Sequence, residues 1–566
     1  MSLDLDTLSF LLLGSISTVA LLSIRNAKGP DVHPLLLNAQ ADPSRLRHVG
    51  ETAIYRSRMH PNGSPLMLTM DRNIRTLHDL FEQGGAKSNL NAKFLGNFNG
   101  SAVVWVGVLS IAFKHVADGQ DVDEVKRRVD NFRCGLATYA GLTSKTNDAS
   151  SFVGVFAKSS SAANSHSYVT IPIAASARTT FISHILSTTS LTTVVVDKET
   201  LPILLSVAEG TSVKYVIVDG TPSHAELASA NEKNIKLEEF KNVEAIGAAH
   251  PISPVVPAYF SPKQLERSKA GVVLKHKNIL ANIASYIAIM PPNQKVTAAD
   301  RLIYSYPLGT LTVARHIFDR NVLSRVLTGM LSYVGGSIAY GCEIAEDEEV
   351  VDITRLQTCA QQAMPTIIAS GSLAFTQIKD RIESHYGNSF LYKRGYEAKK
   401  RTLLNEGRLV VDNRYDMLVF RDIRQKTFGG SLRLVLFDNN GDLGDLPTFV
   451  RVVLGAQAVP TYSRTEASGT ITASMFFDYA ANPASRGSPT PCNEVKLIDL
   501  PDEGYLATDT TNPRGEICVR GNNVFSGYWG DSNTTSEVLD GDKWFMTGDI
   551  GEWLPNGTLK IVGSKK

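Results

Sequence analysis

Three things are scarce in this sequence. Cysteine is one: there are five in 566 residues, at Cys134, Cys342, Cys359, Cys492 and Cys518, odd in number and with no Cys-x-x-Cys pair. That argues against a disulfide framework or a zinc site and suits a reducing compartment. An excess of one charge is also missing. Lys and Arg total 57 against 56 Asp and Glu, a formal net charge of +1, so no general nucleic-acid binder is indicated. Long apolar runs are absent after the first segment. Residues 7–24, TLSFLLLGSISTVALLSI, carry no charge and as a helix would extend ~27 Å, near the lower limit for a bilayer. Asp4 and Asp6 precede the run, and Arg25 and Lys28 follow it. Without a basic n-region it does not read as a cleaved signal peptide. The positive C-terminal flank favours a membrane anchor over residues 1–28 with a cytosolic body. The other reading is a buried or interfacial helix of the main domain.

What is present is the composition of a folded protein, 43% hydrophobic and 20% charged. The length calls for a large domain with subdomains or for several domains. After a mixed, turn-rich lead-in over residues 29–119, apolar residues recur at helical spacing over 122–132. Short β-branched runs at 152–156, 191–197 and 214–219 alternate with helix-like runs at 179–188 and 201–208. Such alternation implies a layered α/β fold with a largely parallel sheet, whose ligands sit at the carboxyl ends of the strands. From about residue 490 short strands between Gly, Pro, Asn and Asp turns suggest a smaller β subdomain.

The most specific signals lie near the C-terminus: NPRGEICVRG at 512–521, VFSGYW at 524–529, WFMTGDIG at 544–551 and GTLKIVG at 557–563. In this order they resemble the adenylate-forming (AMP-binding) superfamily. EWLPNG at 552–557 and PCNEVKL at 491–497 resemble its long-chain fatty acyl-CoA synthetases. The resemblance implies an adenylate-forming large domain over residues 120–566, ending at the family's hinge without the small C-terminal domain. Residues 548–566, where that domain would dock, are expected to be exposed. It also implies ATP, Mg2+ and CoA as cofactors, a fatty acid as substrate, and residence on the endoplasmic reticulum or another intracellular membrane.

Residue by residue, the resemblance gives Asp549 to the ribose hydroxyls, for which a carboxylate is a fitting acceptor. The family's Tyr-Gly-Leu-Thr-Glu motif is Tyr462-Ser463-Arg464-Thr465-Glu466 here. Tyr462 would stack on adenine, Thr465 would bind phosphate and Glu466 would hold magnesium, Thr465 and Glu466 forming the catalytic pair. One glutamate is enough for a magnesium that also binds phosphate oxygens. Ser261 and Lys269 are the remaining phosphate-loop candidates.

That loop departs from the family's pattern. A glycine- and hydroxyl-rich loop lets backbone N–H groups approach phosphate, yet residues 258–280 read AYFSPKQLERSKAGVVLKHKNIL. Both internal glycines and the Thr-Thr pair are replaced, and Glu266 is added. Two further departures are Ser564, where the family has an arginine near the ribose, and acidic residues Asp438 and Asp442 after an expected strand at 432–436. Two functions therefore stand. One is a ligase that joins a fatty acid to CoA through an acyl-adenylate. The other is a catalytically inactive, membrane-anchored relative that binds a nucleotide, an acyl chain or a protein.

Overall fold

The β-branched and apolar runs form strands where the periodicity put them. The structure, a computed structural model, describes residues 12–18, 29–60, 63–84, 93–98, 103–107, 122–142, 152–156, 169–173, 177, 179–250, 259–261, 271–303, 320–340, 353–438 and 443–565.

Residues 152–239 build a five-stranded sheet, all parallel, in the order Val169–Ile173, Phe152–Phe156, Thr193–Asp197, Tyr215–Asp219, Lys236–Glu239. Parallel strands need crossovers, and helices Thr179–Thr189, Leu201–Val207 and His224–Glu232 supply them. Phe152, Phe156, Ile182, Leu186, Val194 and Val216 form part of its core. On another side, helix Val122–Ala140 meets helix Phe240–Ala249 with almost no clearance. A Cβ at Gly247 would stand 1.7 Å from the Asn131 carbonyl oxygen, and one at Gly135 would stand 1.9 Å from that of Val243. Only hydrogen fits at either position. Phe132 stacks on Phe240 beside this crossing, ring centroids 3.7 Å apart.

The largest sheet has nine strands. Its inner strands Ile367–Ser370, Leu434–Asp438 and Gln457–Arg464 run parallel, and Gly469–Ala473 turns back antiparallel beside the last. At the far edge stand Lys93–Phe98 and Val103–Gly107.

The third sheet is antiparallel and six-stranded, in the order Ala41–Pro43, Tyr55–Ser57, Asn493–Ile498, Arg514–Gly521, Phe545–Trp553, Leu559–Ser564. This is the small β region expected after residue 490, completed by two strands from the lead-in. Nothing in those short polar segments, ADP and YRS, marks them as partners of strands more than four hundred residues away. Strand Phe545–Trp553 is interior to the sheet, and residues 548–551 with Trp553 are buried. This corrects the expectation of an exposed surface across residues 548–566. A strand paired on both sides keeps no open edge, and exposure falls on Pro555 in the turn, on Val562 and Ser564 of the outermost strand, and on Lys565 just past it.

Cys359, on helix Ile353–Ala363, is disulfide-bonded. Cysteine number and spacing, which spoke against a disulfide framework, did not foretell this bond, because pairing depends on which Cα atoms the fold brings within about 6 Å. Cys134, Cys492 and Cys518 are buried. No helix among the described residues is long and apolar enough to cross a membrane. Of the expected anchor, residues 12–18 are helical and exposed, and the remainder lies outside the described residues.

Candidate nucleotide site

The carboxyl end of strand Gln457–Arg464 meets the inner strand Phe545–Trp553 of the six-stranded sheet. Strand Gln457–Arg464 is buried along all but its last residue, lying between Leu434–Asp438 and Gly469–Ala473. Its pairing with the latter shifts register between Tyr462 and Ser463. Such an irregularity re-aims side chains at the end of a strand. The chain then makes one tight turn, Thr465–Ala467. Ser468 adopts a left-handed φ of 53° and donates its N–H to the Thr465 carbonyl at 2.9 Å.

Tyr462 and Arg464 are two apart on a strand and so share a face. Both reach Asp549. The Tyr462 hydroxyl donates to Asp549 Oδ2 at 2.7 Å, and Arg464 Nε donates to the same oxygen at 2.8 Å. A second guanidinium nitrogen of Arg464 also pairs with that oxygen. The other oxygen, Oδ1, accepts from Ser564 Oγ at 3.0 Å, since Ser564 stands opposite Asp549 in the strand register. The Asp549 side chain is 3% exposed. Full burial, then the neighbouring Asp549 charge, push the Tyr462 phenol well above its ordinary range, so Tyr462 is a neutral donor. Its ring packs among Val272, Leu274, Ala467 and Ile471.

Gly548 sets the approach of Asp549. Its φ of 74° is open to glycine at little cost. Its N–H donates to Glu516 Oε1 at 3.0 Å, and its carbonyl accepts from the Lys565 N–H at 2.8 Å.

Glu466 is buried, and its Oε1 accepts from the Tyr528 hydroxyl at 2.8 Å. The Glu466 carbonyl accepts from the Phe525 N–H at 2.6 Å, and Phe525 meets Tyr528 edge to face at 5.0 Å. Thr465, also buried, sits between the two clusters in sequence. No group of three or more His, Cys, Asp or Glu that could hold a metal occurs among the described residues. The lone carboxylate of Glu466 is nonetheless the ligand type that a phosphate-bound magnesium takes from a protein.

The expected phosphate-loop region has recognisable flanks. Tyr259–Ser261 pairs antiparallel with Val272–Leu274, Ser261 opposite Val272, and helix His276–Ile289 follows. Lys269 and the rest of residues 262–270 lie outside the described residues. The fold thus pairs Tyr462 with Asp549, while Thr465 and Glu466 follow in the next turn, Glu466 bonded to Tyr528. Three further residues belong to the same clusters and were not assigned a role from sequence: Arg464, Ser564 and Tyr528. The first two stood out as departures from a motif. Their common target emerges only when strands 85 positions apart are side by side.

Residues 269–529 match the AMP-binding enzyme family. The chain is 30% identical over 413 residues to a peroxisomal long chain acyl-CoA synthetase 7 of Arabidopsis thaliana, covering 71% of this chain and 55% of that protein. It is 30% identical over 438 residues to long-chain-fatty-acid–CoA ligase 5 of Mus musculus, covering 73% and 60%. The chain therefore spans little more than half the length of the curated relatives it matches. Among solved structures, the A domain of carboxylic acid reductase from Segniliparus rugosus, in complex with AMP and a co-purified carboxylic acid, superposes with a TM-score of 0.61. Its sequence identity is 17%, and the match covers 87% of this chain and 74% of that one, a likeness of fold.

Proposed function

Because the chain belongs to the adenylate-forming superfamily and is similar to its long-chain acyl-CoA synthetases, we propose that it activates a long-chain fatty acid with ATP and passes the acyl group to CoA. The observation that carries this reading is the convergence of Tyr462 and Asp549 at 2.7 Å, with Glu466 four residues on at the same strand end.

In this reading the fatty carboxylate attacks the α-phosphorus of ATP and expels pyrophosphate. The CoA thiol then displaces AMP from the acyl-adenylate. Asp549 marks the ribose subsite, and Tyr462, expected to stack on adenine but with its ring fully buried, holds that carboxylate through its hydroxyl. Thr465 donates to phosphate, with Ser261 and Lys269 on the loop side. Glu466 would hold magnesium, which stabilises charge developing on the phosphate oxygens. Tyr528 orients the Glu466 carboxylate through its hydroxyl. The large domain is taken as residues 120–566, with 29–119 leading in. Residues 1–28 are taken as a hold on an intracellular membrane, where long-chain fatty acids partition.

A second reading has its own observation. Both Asp549 oxygens already accept from Arg464, Tyr462 and Ser564, and residues 262–270 lack the glycines of a phosphate cradle. An inactive relative that binds acyl chains or a protein would tolerate both. Fatty-acid-dependent release of AMP from ATP and CoA separates the two readings. Release that vanishes in Glu466→Ala supports the ligase, and a folded protein that releases none supports the inactive relative.

A further inference from the structure

Arg464 gives the nucleotide site a feature that the assignment of Asp549 to ribose does not contain. We infer that the Arg464 guanidinium acts as an internal occupant of the ribose subsite, closing Asp549 to nucleotide hydroxyls and setting how far the site senses the sugar. The inference rests on the nucleotide-site reading above.

A carboxylate has about four acceptor positions. At Asp549, Oδ2 receives Tyr462 Oη at 2.7 Å and Arg464 Nε at 2.8 Å, with a second Arg464 nitrogen on the same oxygen. Oδ1 receives Ser564 Oγ at 3.0 Å. Three donor atoms thus crowd Oδ2 and one bonds Oδ1, so the two ribose hydroxyls would compete with groups already on the carboxylate. The guanidinium also cancels the carboxylate's charge, and charge-assisted bonds of this kind are the stronger ones. The Arg464 and Asp549 side chains are 17% and 3% exposed, so water screens the pair little. A ribose reaching Asp549 must therefore displace a charged donor with a neutral one.

Displacement is feasible for Arg464 and less so for the other two donors. Tyr462 is fully buried in the core formed with Val272 and Ile471. Ser564 is fixed by strand pairing with Asp549 itself. Arg464 is the last residue of its strand and the only partly exposed one along it, and its long side chain can swing without breaking the ladder. Its terminal position and long side chain distinguish it from Tyr462 and Ser564.

The test uses the whole chain and two probes, AMP and 2′,3′-dideoxy-AMP, titrated by calorimetry. Wild type is expected to bind the two within about twofold of each other, since Asp549 is engaged internally. Arg464→Leu is expected to bind AMP about tenfold tighter than wild type and to prefer it to the dideoxy analogue by about tenfold, the size of one or two hydrogen bonds to a charged group. Arg464→Leu/Asp549→Asn should lose both gains and, having no unpaired buried charge, guards against a variant that fails to fold. Equal or weaker AMP binding by a folded Arg464→Leu would overturn the proposal, as would a strong preference for AMP already in wild type. If neither nucleotide binds any variant, the nucleotide-site reading fails and the closure with it. A thermal-melt double-mutant cycle on Arg464 and Asp549 tells this case from misfolding, because coupling between the two persists without ligand.

Discussion

The Tyr462 hydroxyl lies 2.7 Å from Asp549 Oδ2, and this bond ties the carboxyl end of a strand in the nine-stranded sheet to an inner strand of the six-stranded one. Replacing Tyr462 by Phe removes one donor and leaves the Arg464 and Ser564 contacts in place. The expected cost in stability is about 1–2 kcal/mol, read as a lower urea midpoint at unchanged slope. No change in midpoint would show that the bond contributes nothing to joining the sheets.

Glu466 and Tyr528 give a prediction about activity. Tyr528→Phe deletes the donor 2.8 Å from Glu466 Oε1 without deleting the ring that packs on Phe525. Loss of a partner that orients a metal-binding carboxylate costs roughly 10–100-fold in metal affinity or turnover. Fatty-acid-dependent AMP release, measured across magnesium concentrations, is expected to fall in that range. A variant as active as wild type at limiting magnesium would remove Tyr528 from the site.

Lys399 predicts a pH dependence far from that site. Its ammonium bonds Asp416 at 2.6 Å, with Arg424 on the same carboxylate oxygen at 2.8 Å, and it lies 4.8 Å from the centre of the Phe420 ring. Burial, opposed by the Asp416 charge, pushes the Lys399 amine down to about 8 from 10.5. Below about 8 both folded and unfolded chains hold the proton, and the burial cost is present in full. Between about 8 and 10.5 the unfolded chain binds the proton that the folded chain has lost, so stability rises with pH across this window. Buried tyrosines such as Tyr392, pushed upward by burial, contribute the opposite slope near the top of the window. The comparison is therefore wild type against Lys399→Met, by urea unfolding at pH 8 and pH 10. Wild type should gain more than the variant; equal changes would contradict the assignment.

Gly247 tests the helix crossing. Alanine there would place a Cβ 1.7 Å from the Asn131 carbonyl oxygen and 2.4 Å from the Gly135 nitrogen, both backbone atoms that cannot rotate away. The crossing must open, with a destabilisation of about 1–3 kcal/mol or more, seen as a lower melting temperature. Gly563, with open space around its Cβ position, serves as the comparison and should accept alanine with little change.

The parallel layers were legible because their strands are β-branched runs with regular crossover helices between them, as at Thr193–Asp197 and Tyr215–Asp219. Asp549 was legible because it sits within an ordered series of motifs. Arg464 was visible as a departure but not as a partner of Asp549, since the pairing depends on which inner strand of a second sheet faces its own. The two strands from residues 41–57 were not legible at all. They are three residues each and hold their place through the partners they find. The Cys359 disulfide was hidden for the same reason.

The most direct test of the central claim is fatty-acid-dependent exchange of labelled pyrophosphate into ATP by the whole chain with magnesium, across a panel of long-chain acids and without CoA. This isolates formation of the acyl-adenylate. The account predicts exchange that needs the fatty acid and is lost in Glu466→Ala. Absence of exchange from folded wild-type protein, or exchange indifferent to that substitution, would contradict it.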